Sequence, residues 1–173
     1  MTTINTVKSL AKKLLNKTFT IPVGMDNVDI CVANHGYIFK FDNSKVRFGL
    51  CHYTLKEISL SKPICENNLD KLNTEIKNVI LHEIAHAIDH IIFGKSDGHG
   101  KRWKSIAKHI GCTGERCYNV EDINHPKSKY TLKCNKCGNE LPMYKKPQVS
   151  KSCRCNPNKG YSEDYKFEVI QNY

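Results

Sequence analysis

The chain has 173 residues, a formal net charge of +10 and nine cysteines. Its length suits one domain with a smaller appendage and is sufficient to bury a hydrophobic core. No apolar run approaches the roughly 18 residues needed to span a membrane, and the first residues lack the pattern of a secretory signal. The composition therefore argues against a membrane protein and a secreted one. We expect an intracellular protein, in the cytoplasm, the nucleus or the nucleoid.

Charge and cysteine content narrow the class of protein further. An odd number of cysteines without a secretion signal favours metal ligands and free thiols over a disulfide framework. Lysine and arginine concentrate in the first 20 residues, just past residue 94, and between residues 126 and 159, where Glu140 is the one acid among nine bases. Such clustering is typical of a protein that binds a polyanion, although surface lysines can also serve only to solvate a surface.

The spacing of apolar residues predicts the first elements in chain order. Ile4, Val7, Ala11 and Leu14 recur at helical spacing and predict an amphipathic first helix. Short β-prone runs separated by turn signals follow, and they predict a small, mainly antiparallel sheet whose pairing order stays open. These runs lie at residues 18–23, 28–33, 37–41, 46–52 and 55–60. Their cysteines, Cys31 and Cys51, and Cys65 just beyond, have no partner at ligand spacing, and we expect them to be buried as small apolar residues.

A longer helix is predicted from about residue 76 to Gly94, and it contains His82-Glu83-x-x-His86. Positions i and i+4 lie on one helix face, so both imidazoles can reach a single zinc ion at about 2.0–2.1 Å. Glu83 is rotated about 100° from His82, too far to be a natural ligand. It is placed to act as general base toward a water at the metal, as in a metalloprotease.

A third zinc ligand is predicted at His99, which lies between two glycines at the start of a predicted helix at 101–110. A catalytic zinc site takes three protein ligands and leaves one position for water. His99 is the most natural third ligand. Asp89, one turn beyond His86, remains open as a ligand or as a hydrogen-bond partner of a ligand histidine. Weaker candidates are His90, His109, Glu115 and His125.

The C-terminal third carries a second candidate metal site. Cys134-Asn-Lys-Cys137-Gly138 is a typical half of a zinc knuckle, and Cys153-Arg-Cys155 stands at the separation expected of the other half. The second half has one residue between its cysteines instead of two. The alternative is a set of reduced thiols on a lysine-rich tail, but a segment with so few apolar residues can hardly fold without metal. We predict a structural zinc on the four cysteines.

The two histidine motifs, HEIAHA at 82–87 and GHGKRW at 98–103, together resemble the SprT-like family of zinc metalloproteases, which includes Spartan. The stretch at 49–61 is similar to the family's strand that leads toward the active-site helix, and the resemblance covers roughly residues 45–155. It implies zinc on His82, His86 and His99, with Glu83 as catalytic base. It also implies a C-terminal zinc ribbon and, for Spartan-like members, DNA-stimulated cleavage of proteins crosslinked to DNA, a DNA-repair activity.

The sequence therefore predicts an α+β, zincin-type domain over residues 1–125, a basic zinc ribbon over 126–160 and an acidic tail over 161–173. The predicted function is zinc-dependent peptide-bond hydrolysis of DNA-associated proteins. The DNA would be single-stranded or contain a junction, and it would be bound with weak sequence preference. One alternative is a nucleic-acid-binding zinc protein whose histidine site is idle, and another is a peptidase without a nucleic-acid partner. The presence of Glu83 disfavours the idle site, because a structural zinc has no use for a base beside its ligands.

Overall fold

A computed structural model of the protein describes residues 2–116 and 122–173. The predicted α+β class is confirmed, since helices and strands both form the core. The chain divides into two compact units, Met1–Pro126 and Lys127–Tyr173. Within the described residues, no helix is both long and apolar enough to cross a lipid bilayer.

The described residues of the first unit form four α-helices: α1 (Ile4–Leu15), α2 (Lys62–Glu66), α3 (Lys77–Phe93) and α4 (Lys101–His109). Helix α1 begins with a capping box between Thr3 and Thr6, which satisfies two amides of the first turn. Helices α1, α3 and α4 lie where the apolar spacing predicted them. Helix α2 was not predicted, because a proline soon after a β-prone run is typical of the end of a strand. In the structure Pro63 occupies the first helical turn, where its missing N–H costs nothing.

The strands that the structure describes in the first unit form two separate sheets. Strands β1 (Thr18–Val23) and β2 (Asp26–Cys31) make an antiparallel hairpin. Strands β3 (Ile38–Asp42), β4 (Gly49–His52) and β5 (Glu57–Ser61) are arranged in the order β3-β5-β4. In that sheet β4 is antiparallel to β5, but β3 is parallel to it. Two of the three pairings among these strands are antiparallel, as predicted, but the strands form two sheets where one was expected, and β3 pairs in parallel. Side-chain alternation indicates where strands lie but not which strands pair.

Helix α3 is the centre of the first unit's core and packs against α1, α4, β4 and β5. Its apolar residues point in all directions, and Ile80, Ile84 and Ile88 are completely buried. A helix that is hydrophobic all round belongs in a core. β-branched residues are weak helix formers, so burial worth about 1.5–3 kcal/mol for each such side chain must hold this helix in place.

The second unit is a three-stranded antiparallel sheet of β6 (Tyr130–Cys134), β7 (Glu140–Met143) and β8 (Phe167–Gln171), in the order β7-β6-β8. Its core consists of Leu132, Cys134, Cys153 and Phe167, with Met143 packed against them. Because β8 pairs with the central strand, this unit extends beyond residue 160. Residues 167–171 of the predicted acidic tail thus form a strand of the sheet.

Candidate active site and cysteine cluster

Helix α3 presents His82 and His86 on one face, and the turn before α4 brings His99 to them. The Nε2 atoms are 3.0 Å apart for His82 and His99, 3.2 Å for His82 and His86, and 3.2 Å for His86 and His99. Ligands placed at tetrahedral angles, about 2.0–2.1 Å from one zinc ion, stand about 3.3 Å apart. The spacing of the three nitrogens therefore fits a shared metal ion.

The chemistry of these rings fits a metal as well. Burial lowers the pKa of His82 to about 4 and that of His86 to about 3, so both rings are neutral near pH 7. A neutral imidazole carries one N–H, and three such rings cannot satisfy one another around a single point. The Nδ1 atom of His86 is also buried without a hydrogen-bond partner among the described residues. A cation at the centre accounts for the lone pairs that converge there.

Trp103 forms the base of this histidine cluster. Its ring centroid lies 4.7 Å from that of His82, 5.0 Å from that of His86 and 4.6 Å from that of His99. The indole is completely buried. The side chain that anchors α4 in the core thus also packs against all three candidate ligands.

Glu83 lies in the same cleft as the histidines, 7% exposed. Burial raises the pKa of Glu83 to about 8, although the backbone amide of Cys51 donates to its carboxylate and acts in the opposite direction. A divalent cation at the neighbouring histidines would lower this pKa again. The site therefore holds a carboxyl group that is shielded from bulk water beside three nitrogen ligands.

Strand β4 approaches Glu83 so closely that only glycine fits at its first position. A Cβ atom on Gly49 would stand 2.6 Å from Oε1 of Glu83 and 2.8 Å from Cγ1 of Val79. Both distances are below van der Waals contact. Gly49 thus leaves the space that the Glu83 carboxylate occupies.

A cleft of about 630 Å³ opens in front of Glu83 and the histidines. Its walls include Phe48, Gly49 and Tyr53 on the side of the sheet, with Arg47 and Arg116 contributing positive charge. Strand β4 lines this cleft and is at the edge of its sheet. The cleft is large enough to take several side chains of a peptide.

Three of the other candidates for the third ligand are engaged elsewhere. Asp89 accepts hydrogen bonds from Arg102 and from the backbone amide of Asp97. His90 stacks on Tyr53 with ring centroids 4.8 Å apart, and His125 contacts the Lys45 carbonyl. Of the groups considered as third ligand, the structure brings His99 to His82 and His86.

The four cysteines of the second unit also converge. The Sγ atoms of Cys134 and Cys155 are 3.7 Å apart, as are those of Cys137 and Cys153, and all four lie within 4.8 Å of one another. Sulfurs about 2.3 Å from a tetrahedral zinc stand about 3.8 Å apart, so this cluster fits one ion despite its short Cys-x-Cys half. Hydrogen bonds from the backbone amides of Cys137 and Lys136 lower the pKa of Cys134 to about 7, which favours the thiolate that binds metal.

Comparison with known proteins agrees with this geometry. The model of the SprT-like family matches residues 29–125, more than half of the chain. This chain belongs to the SprT-like family. The family is generally one of zinc-metallopeptidase-like proteins. The match ends before the cysteine cluster, which the family assignment therefore does not include.

Three curated relatives of this SprT-like protein share the name Protein SprT. The Pasteurella multocida (strain Pm70) protein is 25% identical over 126 residues, which cover 72% of this chain and 66% of the relative. The Glaesserella parasuis (strain SH0165) protein is 24% identical over 61% of this chain and 72% of the relative. The Vibrio atlanticus (strain LGP32) protein is 34% identical over 47% of this chain and 51% of the relative. The chain thus spans about half to seven-tenths of their length, and no solved structure matches it significantly.

Two features of this SprT-like site escaped sequence reasoning. The contact of Gly49 with Glu83 depends on how β4 crosses α3, and no sequence spacing encodes it. The ion pair of Asp89 with Arg102 joins residues thirteen positions apart. Each residue lies on an element that was predicted, but the approach of the two elements was not.

Proposed function

We propose that this SprT-like protein is a zinc endopeptidase of zincin type that cleaves proteins associated with DNA. His82, His86 and His99 would hold the zinc, and Cys134, Cys137, Cys153 and Cys155 would hold a second, structural zinc. The observation that carries the proposal is that three neutral imidazole nitrogens converge beside a buried glutamate, in a cleft with room for substrate. When bound, the catalytic zinc would activate water and polarise the scissile carbonyl.

The protein's own residues then supply positioning and proton transfer. An extended substrate would pair with β4, whose outer edge offers main-chain donors and acceptors beside the catalytic centre. Glu83 would take a proton from the attacking water as the new C–O bond forms, and it would return that proton to the amine as the C–N bond breaks. Gly49 and the Cys51 amide would keep the carboxylate in position.

The proposed DNA partner rests on charge and aromatic side chains. The second unit carries ten basic and four acidic residues, and so +6 of the chain's +10. Tyr161 is exposed, and Lys129 lies over the ring of Tyr130, 5.9 Å from its centroid. Basic surfaces with accessible aromatic rings bind single-stranded nucleic acid by phosphate contacts and base stacking. Contacts of this kind favour single-stranded or junction-containing DNA and give weak sequence preference.

The test is proteolysis of a DNA-bound protein by the full chain and by Glu83→Gln, with and without DNA. The amide keeps the size of the side chain but cannot act as base, so cleavage should fall by at least ~10²-fold while zinc content is unchanged. Chelation should abolish the wild-type activity. Equal turnover by the two proteins would refute the mechanism, and zinc without proteolysis would favour an idle-site nucleic-acid-binding protein. Cleavage at the same rate with and without DNA would favour a peptidase without that partner.

A further inference from the structure

We infer that Asp89, Arg102 and Asp97 form a clamp that positions His99 as the third zinc ligand. This inference rests on the zinc site proposed above and adds residues that do not themselves touch the metal position. His82 and His86 are fixed by the buried helix α3. His99 lies instead on the turn between α3 and α4, so a separate set of contacts must hold it in place.

The centre of the clamp is the carboxylate of Asp89, which is completely buried. Arg102 donates from Nε to Oδ1 at 2.5 Å and from Nη2 to Oδ2 at 3.2 Å. The backbone amide of Asp97 donates to Oδ2 at 2.7 Å. A buried charge persists only where it is paired and hydrogen-bonded, and these three donors satisfy that condition.

Asp97 and Arg102 also make hydrogen bonds within the turn, in addition to their contacts with α3. Oδ2 of Asp97 accepts from the backbone amide of Arg102 at 3.0 Å, and its carbonyl accepts from Gly100 at 3.0 Å. Arg102 also donates to the carbonyl of Lys95 at 2.8 Å. Its guanidinium lies 4.2 Å from the ring centroid of Phe93, at the end of α3.

His99 therefore lies between Asp97 and Arg102, which both donate hydrogen bonds to the buried carboxylate of Asp89. Asp97 is two residues before it and Arg102 is three residues after it. Asp89 itself is on α3, one turn beyond His86. The clamp therefore fixes the third ligand relative to the helix that carries the other two. This geometry makes Asp89 a positioning residue and excludes its use as a ligand in this arrangement.

The single tryptophan of the chain gives a site-specific readout of metal binding. Trp103 contacts all three histidine rings, so its emission should respond to zinc at the histidines and not to zinc at the cysteines. Full-length protein would be titrated with zinc in metal buffers. The variants are Asp89→Asn and Arg102→Gln, and Glu66→Gln is the control because it removes only an exposed ion pair with Lys62 at 3.8 Å.

Partners that orient metal ligands typically contribute 10- to 100-fold to metal affinity. We expect Asp89→Asn to weaken zinc binding at the histidine site by about that factor, Arg102→Gln to weaken it in the same direction, and Glu66→Gln to leave it unchanged. If Asp89→Asn does not fold, the zinc affinity of Arg102→Gln decides the question, because Arg102 is partly exposed. In a His99→Ala background the Asp89→Asn change should have little further effect, because coupled residues are not additive.

Two outcomes would overturn the clamp alone. One is wild-type affinity in both Asp89→Asn and Arg102→Gln. The other is an equal loss of affinity with and without His99, which would indicate general loosening of the fold and not positioning of one ligand. A wild-type protein whose Trp103 emission ignored zinc, and whose zinc content matched that of His82→Ala, would overturn the proposed zinc site and the clamp together.

Discussion

The two candidate metal centres are built in opposite ways. The histidine cluster takes two of its three donors from a helix embedded in the large core of the first unit, and its open side faces a cleft. The cysteine cluster has four donors, and two of them, Cys134 and Cys153, belong to the four-residue core of the second unit. The histidine cluster is thus positioned by a core that surrounds it, whereas the cysteine cluster makes up much of the core of its own unit.

This difference separates a site that can do chemistry from one that can only hold structure. Three ligands leave a coordination position for water or substrate, and four thiolates close the tetrahedron. A small unit with few buried apolar side chains depends on its metal for folding free energy, whereas a core such as that of the first unit does not. The two units should therefore respond differently to the same treatments.

Metal removal should show the largest difference between the two units. With a strong chelator we expect the second unit to lose its fold completely and the first unit to keep its own, because the core around α3 holds without the ion. Hydrogen exchange would measure this through the amides of Leu132 in β6 and Ile84 in α3. The Ile84 amide should remain protected and that of Leu132 should exchange freely. Persistent protection of β6 in metal-free protein would show that the ribbon folds without zinc.

A substitution at Gly49 should have the next largest effect, and on chemistry alone. In Gly49→Ala the new methyl group would displace the Glu83 carboxylate, so proteolysis should fall by about 10²-fold, as expected for a misplacement of about 1 Å. Zinc content should be unchanged, because Gly49 is not a ligand. Gly160→Ala is the matched control, since its Cβ would meet only the Asn158 carbonyl at 3.9 Å.

A second variant separates the two clashes at Gly49. Adding Val79→Ala removes the contact of the new Cβ with Val79 but leaves its contact with Glu83. Activity should therefore remain low in the double variant. Recovery of activity would show that the loss came from a shifted α3 and not from the displaced base.

The contrast between the two centres also explains what the sequence could predict. The histidine pair and the Cys-x-x-Cys turn are local, so spacing alone places their donors on one helix face or around one tight turn. In that turn Gly138 adopts a φ of +72°, a conformation that favours glycine. His99 and the second cysteine pair were inferred from separation along the chain, and the structure brings both to the expected clusters.

What sequence could not predict depends on how elements approach one another. The parallel pairing of β3 with β5, the pairing of β8 with β6, and the clamp between Asp89 and Arg102 all join segments through tertiary packing. Strand periodicity identifies residues that face a core but leaves the pairing order open. The acidic composition of the last residues predicted a tail, yet apolar Phe167 is anchored in the small core.

DNA affinity should show the smallest difference, because both units are basic. Deleting residues 127–173 removes +6 of the net charge but leaves four lysines on or just past α1 and the bases near α4. We expect affinity for single-stranded DNA to fall by about tenfold at moderate salt, and the slope of log affinity against log salt to become shallower, because fewer counterions are released. The first unit should keep its fold and should still bind zinc at the proposed histidine site. Titrations of both proteins at two salt concentrations measure affinity and slope together. Lys145→Gln/Lys146→Gln in the full chain is the companion variant, and it should lower the slope without removing the ribbon. If the shortened chain bound DNA as tightly as the full chain, with the same slope, the contacts would lie in the first unit, and the ribbon would contribute structure but no DNA binding.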